Sequence, residues 1–131
     1  MHHWIRLTLF LLVLSGCRYA GERPYVIYAS VNEAKEDGAF LRGWLPNWLP
    51  EEAYNIHEHH DLDTNVRAFS FQLRETPFVW PANCAPTQNP RGPAIKTNLM
   101  PANASLLASV NDCGGIFVVM ENNQTVHAWA Y

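Results

Sequence analysis

Apolar and polar positions divide the chain into one long apolar run and a series of short blocks. The run is Leu7 to Leu14 (LTLFLLVL), preceded by Arg6 as the one firm positive charge and by no acid. It is too short for the ~20 residues of a membrane-spanning helix. A basic start, a short apolar stretch and a small-residue exit instead predict a secretory signal peptide. Further on, Tyr25 to Ala29 (YVIYA) is β-branched and aromatic and predicts a strand. Ser30-Val31-Asn32-Glu33 fits a capping box, and Ala34, Lys35 and Glu36 carry a short helix from about Val31 to Asp37, stopped at Gly38. Trp-Leu-Pro then occurs twice at four-residue spacing, Trp44-Leu45-Pro46 and Trp48-Leu49-Pro50. Prolines that close forbid a continuous helix or a central strand, so an ordered aromatic loop is expected.

Ile56 to His60 reads as a strand, Asp61 to Asn65 as a turn, and Val66 to Leu73 (VRAFSFQL) as an alternating strand. The last leaves its register open between Val66/Ala68 and Phe69/Phe71. Val79-Trp80 adds a short extended piece. Gly115 to Glu121 and Gln124 to Tyr131 form a β-hairpin across Asn122-Asn123, a pair suited to a turn with positive φ. The fold class is therefore α+β: a small, mainly antiparallel sheet with one short helix packed on one face and a C-terminal β-hairpin.

The exit of the apolar run, Leu14-Ser15-Gly16-Cys17, resembles the lipobox of bacterial lipoproteins. That resemblance implies diacylation of the Cys17 sulfur, cleavage before Cys17 and acylation of the new amine. The competing reading is an ordinary signal peptide with a cysteine at its cleavage site. The organisation expected is a signal peptide over 1–16, a lipidated cysteine and tether over 17–24, and one domain over 25–131. Arg18, where an Asp would retain the protein, resembles the enteric pattern for the outer membrane, with the domain facing the periplasm. Three acyl chains anchor essentially permanently, since two already suffice. Arg18 to Arg23 would span at most about 20 Å, keeping the domain close to lipid.

Length and charge narrow the partners. With 131 residues there is room for one core, and 48% hydrophobic residues argue against wholesale disorder. The net charge is −3. Loss of residues 1–16 removes Arg6, leaving 8 Lys+Arg against 12 Asp+Glu, or −4. No basic excess exists for phosphate backbones or anionic lipid, which excludes a general nucleic-acid binder. The membrane is therefore a partner through acyl chains alone. Apart from Cys17, the cysteines form a pair, Cys84 and Cys113, expected as a disulfide in an oxidising compartment. Their spacing is not that of a Cys-x-x-Cys redox motif.

Chemistry concentrates in His57-Glu58-His59-His60-Asp61-Leu62-Asp63. On a strand His57 and His59 share a face and could offer two imidazoles to one metal, with Asp61 as third ligand. His-x-His-x-Asp is similar to the opening of a metallo-β-lactamase motif, but Leu62 stands where that motif has His and the domain is too small. A half-exposed strand end running into a turn is the plainer reading. Glu51, Glu52, Asp61 and Asp63 supply carboxylates without a defined separation. No nucleophile elbow or phosphate loop occurs, and no cofactor is expected. Trp44 and Trp48, on a proline-bounded loop, are the candidate aromatic platform for a glycan or peptidoglycan fragment, the alternative being that they fill the core.

Gly43-Trp44-Leu45-Pro46, Leu49-Pro50, Ile56 to Asn65 and Phe69-Ser70-Phe71 together resemble a family of short bacterial lipoproteins and exported proteins, the YbbD head-like domain, over residues 25–73. The resemblance implies a small α+β module and carries over no catalytic residue. It centres on the His60-to-Asn65 end and not on His57 and His59. The functional expectation is a lipid-anchored envelope protein that binds or scaffolds an envelope protein or glycan and is not an enzyme. The alternatives are a metal site or metal-dependent hydrolase around His57, His59 and Asp61, and a glycan binder through Trp44 and Trp48.

Overall fold

The computed structural model describes residues 25–75, 77–95, 97, 100 and 109–131. The signal peptide, Cys17 and the tether lie outside the described residues. Within them, seven strands form one antiparallel sheet: β1 (Tyr25–Ser30), β2 (Tyr54–His60), β3 (Arg67–Gln72), β4 (Cys84–Pro86), β5 (Asn111–Cys113), β6 (Ile116–Asn122) and β7 (Thr125–Ala130). Their order across the sheet is β1-β2-β3-β7-β6-β5-β4. The single helix, α1 (Val31–Glu36), follows β1 directly. The molecule is thus sheet-dominated with one short helix.

α1 forms where the capping box stands. Ser30 Oγ accepts from the Glu33 amide at 3.3 Å, and the Glu33 carboxylate accepts from the Ala29 amide at 2.6 Å, one residue earlier than the usual reciprocal bond. Gly38, at φ 81°, ends the helix in a conformation that only glycine adopts without strain. Val31 and Ala34 are buried in the main core with Tyr28, Ile56, Phe69 and Phe71.

β3 and β7 lie centrally and are buried on both faces, which resolves the register left open by the sequence. Phe69 and Phe71 face the main core, while Ala68 faces a second cluster with Val119 and Trp129 on the other side. Met100 and Val110 cover that second cluster. Ala68 and Ser70 are buried on that opposite face as well, so β3 does not show the one buried and one exposed face that alternation assumes.

The disulfide joins Cys84 to Cys113, register partners on β4 and β5. Val79-Trp80, expected as a short extended piece, carries no strand pairing. The C-terminal hairpin is present, but its turn is Asn123-Gln124, one residue later than expected. Asn122 does not use positive φ there. Its side-chain oxygen accepts from the amides of Gln124 (2.9 Å) and Thr125 (2.8 Å), which closes the turn by side-chain bonding.

Candidate functional site

Period-two alternation sends Ile56, Glu58 and His60 of β2 to the main core and His57 and His59 to the opposite face. Glu58 is 0% and His60 3% exposed. His60 Nδ1 lies 3.0 Å from each Glu58 carboxylate oxygen, within hydrogen-bond reach of both. Trp44 stacks flat on the imidazole, with ring centroids 3.7 Å apart and planes 16° from parallel. The Arg42 guanidinium covers the other face of the indole at 3.9 Å. Arg42 also donates to Asp37 Oδ2 at 2.9 Å, and the same oxygen accepts from the Tyr28 hydroxyl at 2.7 Å. A ladder of polar and aromatic groups therefore runs from the end of α1, through the Trp-Leu-Pro loop, down to β2.

Burial pushes the Glu58 carboxyl above its ordinary range, and the bond to His60 and the charges of His60, Arg42 and Arg67 draw it back. Burial, then the bond to Asp37, also raises the Tyr28 hydroxyl. Arg67, register partner of His60, is lowered by burial and raised by Glu58. His60 Nε2 and Arg67 Nε are buried without a hydrogen-bond partner. A carboxylate-oriented imidazole is the core of many general bases, but this one lies beneath the face of Trp44. The arrangement fastens the loop of residues 38–53 to the sheet.

Every member of this ladder falls within one stretch of the chain. Residues 22–72 match the YbbD head domain. No curated protein matches the chain, and no solved structure does. The YbbD head match ends at the last residue of β3 and spans β1, α1, the Trp-Leu-Pro loop and β2.

The other face of β2 carries the histidines singled out by spacing. His57 and His59 do share that face. The Tyr25 hydroxyl lies 2.6 Å from His57 Nδ1, and His57 Nε2 lies 3.0 Å from Asn55 Oδ1. Both ring nitrogens of His57 are therefore engaged. His59 meets the edge of the Tyr25 ring at 6.4 Å. Asp61 lies in the β2–β3 turn within electrostatic reach of His59, and its Oδ1 accepts from the amides of Asp63 (2.9 Å) and Thr64 (3.4 Å). Bonds from Thr64 and the Asp63 amide hold the Asp61 carboxyl below its usual range. Burial lowers both His57 and His59 from the ordinary imidazole value. Among the described residues no three His, Cys, Asp or Glu side chains are grouped so as to hold a metal ion. The structure brings Asp61 near His59 but does not group His57, His59 and Asp61 as three ligands of one ion.

Of the two readings of Trp44 and Trp48, platform or core filling, their packing favours the second. The prolines fold the loop back, so Leu45 and Leu49 are buried and both tryptophans lie half-buried against the core. Trp44 has both faces covered, and Trp48 packs against Phe69 and Phe78 at 6.1 Å. Sequence reasoning missed the Glu58–His60 pair and a second one, His127 Nε2 with Glu121 Oε2 at 2.7 Å. The signal for Glu58 was present: it stands two residues from Ile56 and therefore on the same face.

Proposed function

We propose that this is a lipid-anchored protein of the bacterial cell envelope, held at the outer membrane and facing the periplasm, whose domain binds or scaffolds and does not catalyse. The observation that carries the reading is Leu14-Ser15-Gly16-Cys17 placed just ahead of a domain whose YbbD head match begins at residue 22 and whose first strand begins at Tyr25. Acyl chains on Cys17 supply the membrane partner, and the partner of the domain is an envelope protein or a glycan. Closure of the Glu58–His60 pair under Trp44 supports a structural use of the most chemically suggestive groups.

The test is acyl labelling in cells. Cys17→Ser is expected to abolish incorporation of a fatty-acid label and to move the protein from the membrane pellet to the soluble fraction. Label retained on Cys17→Ser would overturn the anchor. The metal alternative requires His57 to give up its bond to Tyr25 or to Asn55. Stoichiometric zinc on the purified protein, lost on His57→Ala with His59→Ala, would replace the non-metal reading.

A further inference from the structure

The tether enters β1 at Tyr25, and antiparallel pairing puts Tyr54, Gln72, Asn122 and Thr125 together at the opposite end of the sheet. Two shallow clefts open there and share Asn123 and Gln124. One, of about 570 Å³, is walled by Tyr54, Gln72, Asn122 and Thr125 with the shared pair. The other, of about 490 Å³, adds Arg74, Glu75, Phe78 and Met120.

Both register shifts in the sheet fall at this end. One lies between Tyr54 and His57 of β2, the other between Met120 and Asn122 of β6. Asn55, inside the first, is held at φ 47°, in the left-handed region that asparagine tolerates better than most residues. Bulges re-aim side chains and are over-represented at sheet edges and next to active sites. Here they surround an array of uncharged amides. Asn55 Nδ2 lies 3.4 Å from Gln72 Oε1, and Gln124 Nε2 donates to the Arg74 carbonyl at 3.2 Å, which sets the amides in fixed orientations. The Arg74 guanidinium lies over the Tyr54 ring at 4.6 Å, with Glu75 beside it in sequence.

We infer that this end of the sheet is a binding cleft for an uncharged, hydroxyl-rich glycan. Each side-chain amide presents a donor and an acceptor side by side, which matches the paired donors and acceptors of neighbouring sugar hydroxyls. An anion would meet one cation, Arg74, opposed by Glu75, and a metal ion would meet amides, two hydroxyls and the single carboxylate of Glu75, with no imidazole or thiolate. Phe78 and Met120 give the adjoining cleft an apolar floor for a ring face or an acetamido methyl group. The site lies at the end of the sheet opposite Tyr25, where β1 begins, and the inference rests on the binding role proposed above. It gives the binding module a ligand class and replaces the covered Trp44 as the glycan contact.

The test uses the full chain carrying Cys17→Ser, so that it does not depend on acylation, with chitotetraose and maltotetraose as probes and an oligoglutamate peptide as the anionic control. Calorimetry is expected to show saturable binding of a tetrasaccharide at micromolar to millimolar concentration and none of the peptide. Gln72→Ala with Asn123→Ala is expected to weaken binding at least tenfold while leaving the thermal unfolding midpoint within a few degrees. Amide chemical-shift changes are expected at residues 122–125. The proposal is overturned by absence of saturable binding of either sugar, by binding that survives the double substitution, or by binding lost on Trp48→Ala and unchanged in the cleft variant. Because the anchor is removed throughout, failure here leaves the acyl-labelling result untouched.

Discussion

His60→Ala separates the two things that the buried pair does. The substitution removes the hydrogen-bond partner of a carboxylate that is 0% exposed, and it removes the ring on which Trp44 stacks. Breaking a buried pair by deleting one member costs about 3–5 kcal/mol. The cost has a ceiling set by proton uptake. An abandoned Glu58 can always take a proton, and from its reference value of 4.5 this costs about 3.4 kcal/mol at pH 7. Loss of the stacked ring adds roughly 0.5–1.5 kcal/mol. The sign with pH follows from burial. A carboxyl whose folded value lies above 4.5 contributes its full stability below that pH and loses it as pH rises through the folded value. His60 offsets part of that loss in the native chain, and the variant lacks the offset. The gap between the two is therefore expected to be about 4 kcal/mol at pH 7 and to shrink by about 2 kcal/mol at pH 5. Urea unfolding followed by tryptophan fluorescence, with the disulfide intact, reads both numbers. Glu58→Leu with His60→Phe, which removes both polar groups, is expected to fall within about 1.5 kcal/mol of the native chain. A His60→Ala deficit below about 1 kcal/mol at pH 7, or one equal at both pH values, would refute the reasoning.

Replacing Cys84 and Cys113 together by Ala reopens a 29-residue separation and is expected to cost roughly 3–4 kcal/mol, read as a lowered urea midpoint that reductant reproduces in the native chain. Ser30→Ala removes the N-cap oxygen that accepts from Glu33, with an expected loss of about 1 kcal/mol, whereas Ser30→Asp should hold stability near native.

Local structure was legible in the sequence wherever a short segment carries its own instruction. The capping box at Ser30, the Trp-Leu-Pro loop, the Asp61-to-Asn65 turn and the C-terminal hairpin all occur near their expected places. Strand neighbours were not legible, because β3 pairs with β7 across more than fifty residues and nothing local in Val66 to Leu73 names that partner. The candidate site was misread for a related reason. His57 to His60 is polar at every position, so hydropathy cannot tell which pair points inward. The answer comes from Ile56 and from Trp44, a residue that reaches His60 only after the loop has folded. Trp44 and Trp48 stood open between core and platform because prolines mark turns, and those turns bend the loop back over the core.

The YbbD head match stops at Gln72, and the sheet shows why that boundary cannot be a folding boundary in this chain. β3 lies between β2 and β7, and six of its residues are registered against β7. Phe69 is paired with Ala128 and Phe71 with Val126, all of them buried in the main core. A chain ending at residue 75 would expose both phenylalanines on one side and turn β3 into a long, apolar, unpaired edge. It would also leave about 50 residues of domain, a size at which burial barely offsets chain entropy. Such a chain is expected to show no cooperative unfolding transition and to aggregate, while the full chain unfolds in one step. Adding a synthetic 109–131 segment is expected to restore structure only where β7 re-pairs with β3. Cooperative unfolding of the 75-residue chain alone would show that the three-strand head is self-sufficient and that β4 to β7 are an addition to it.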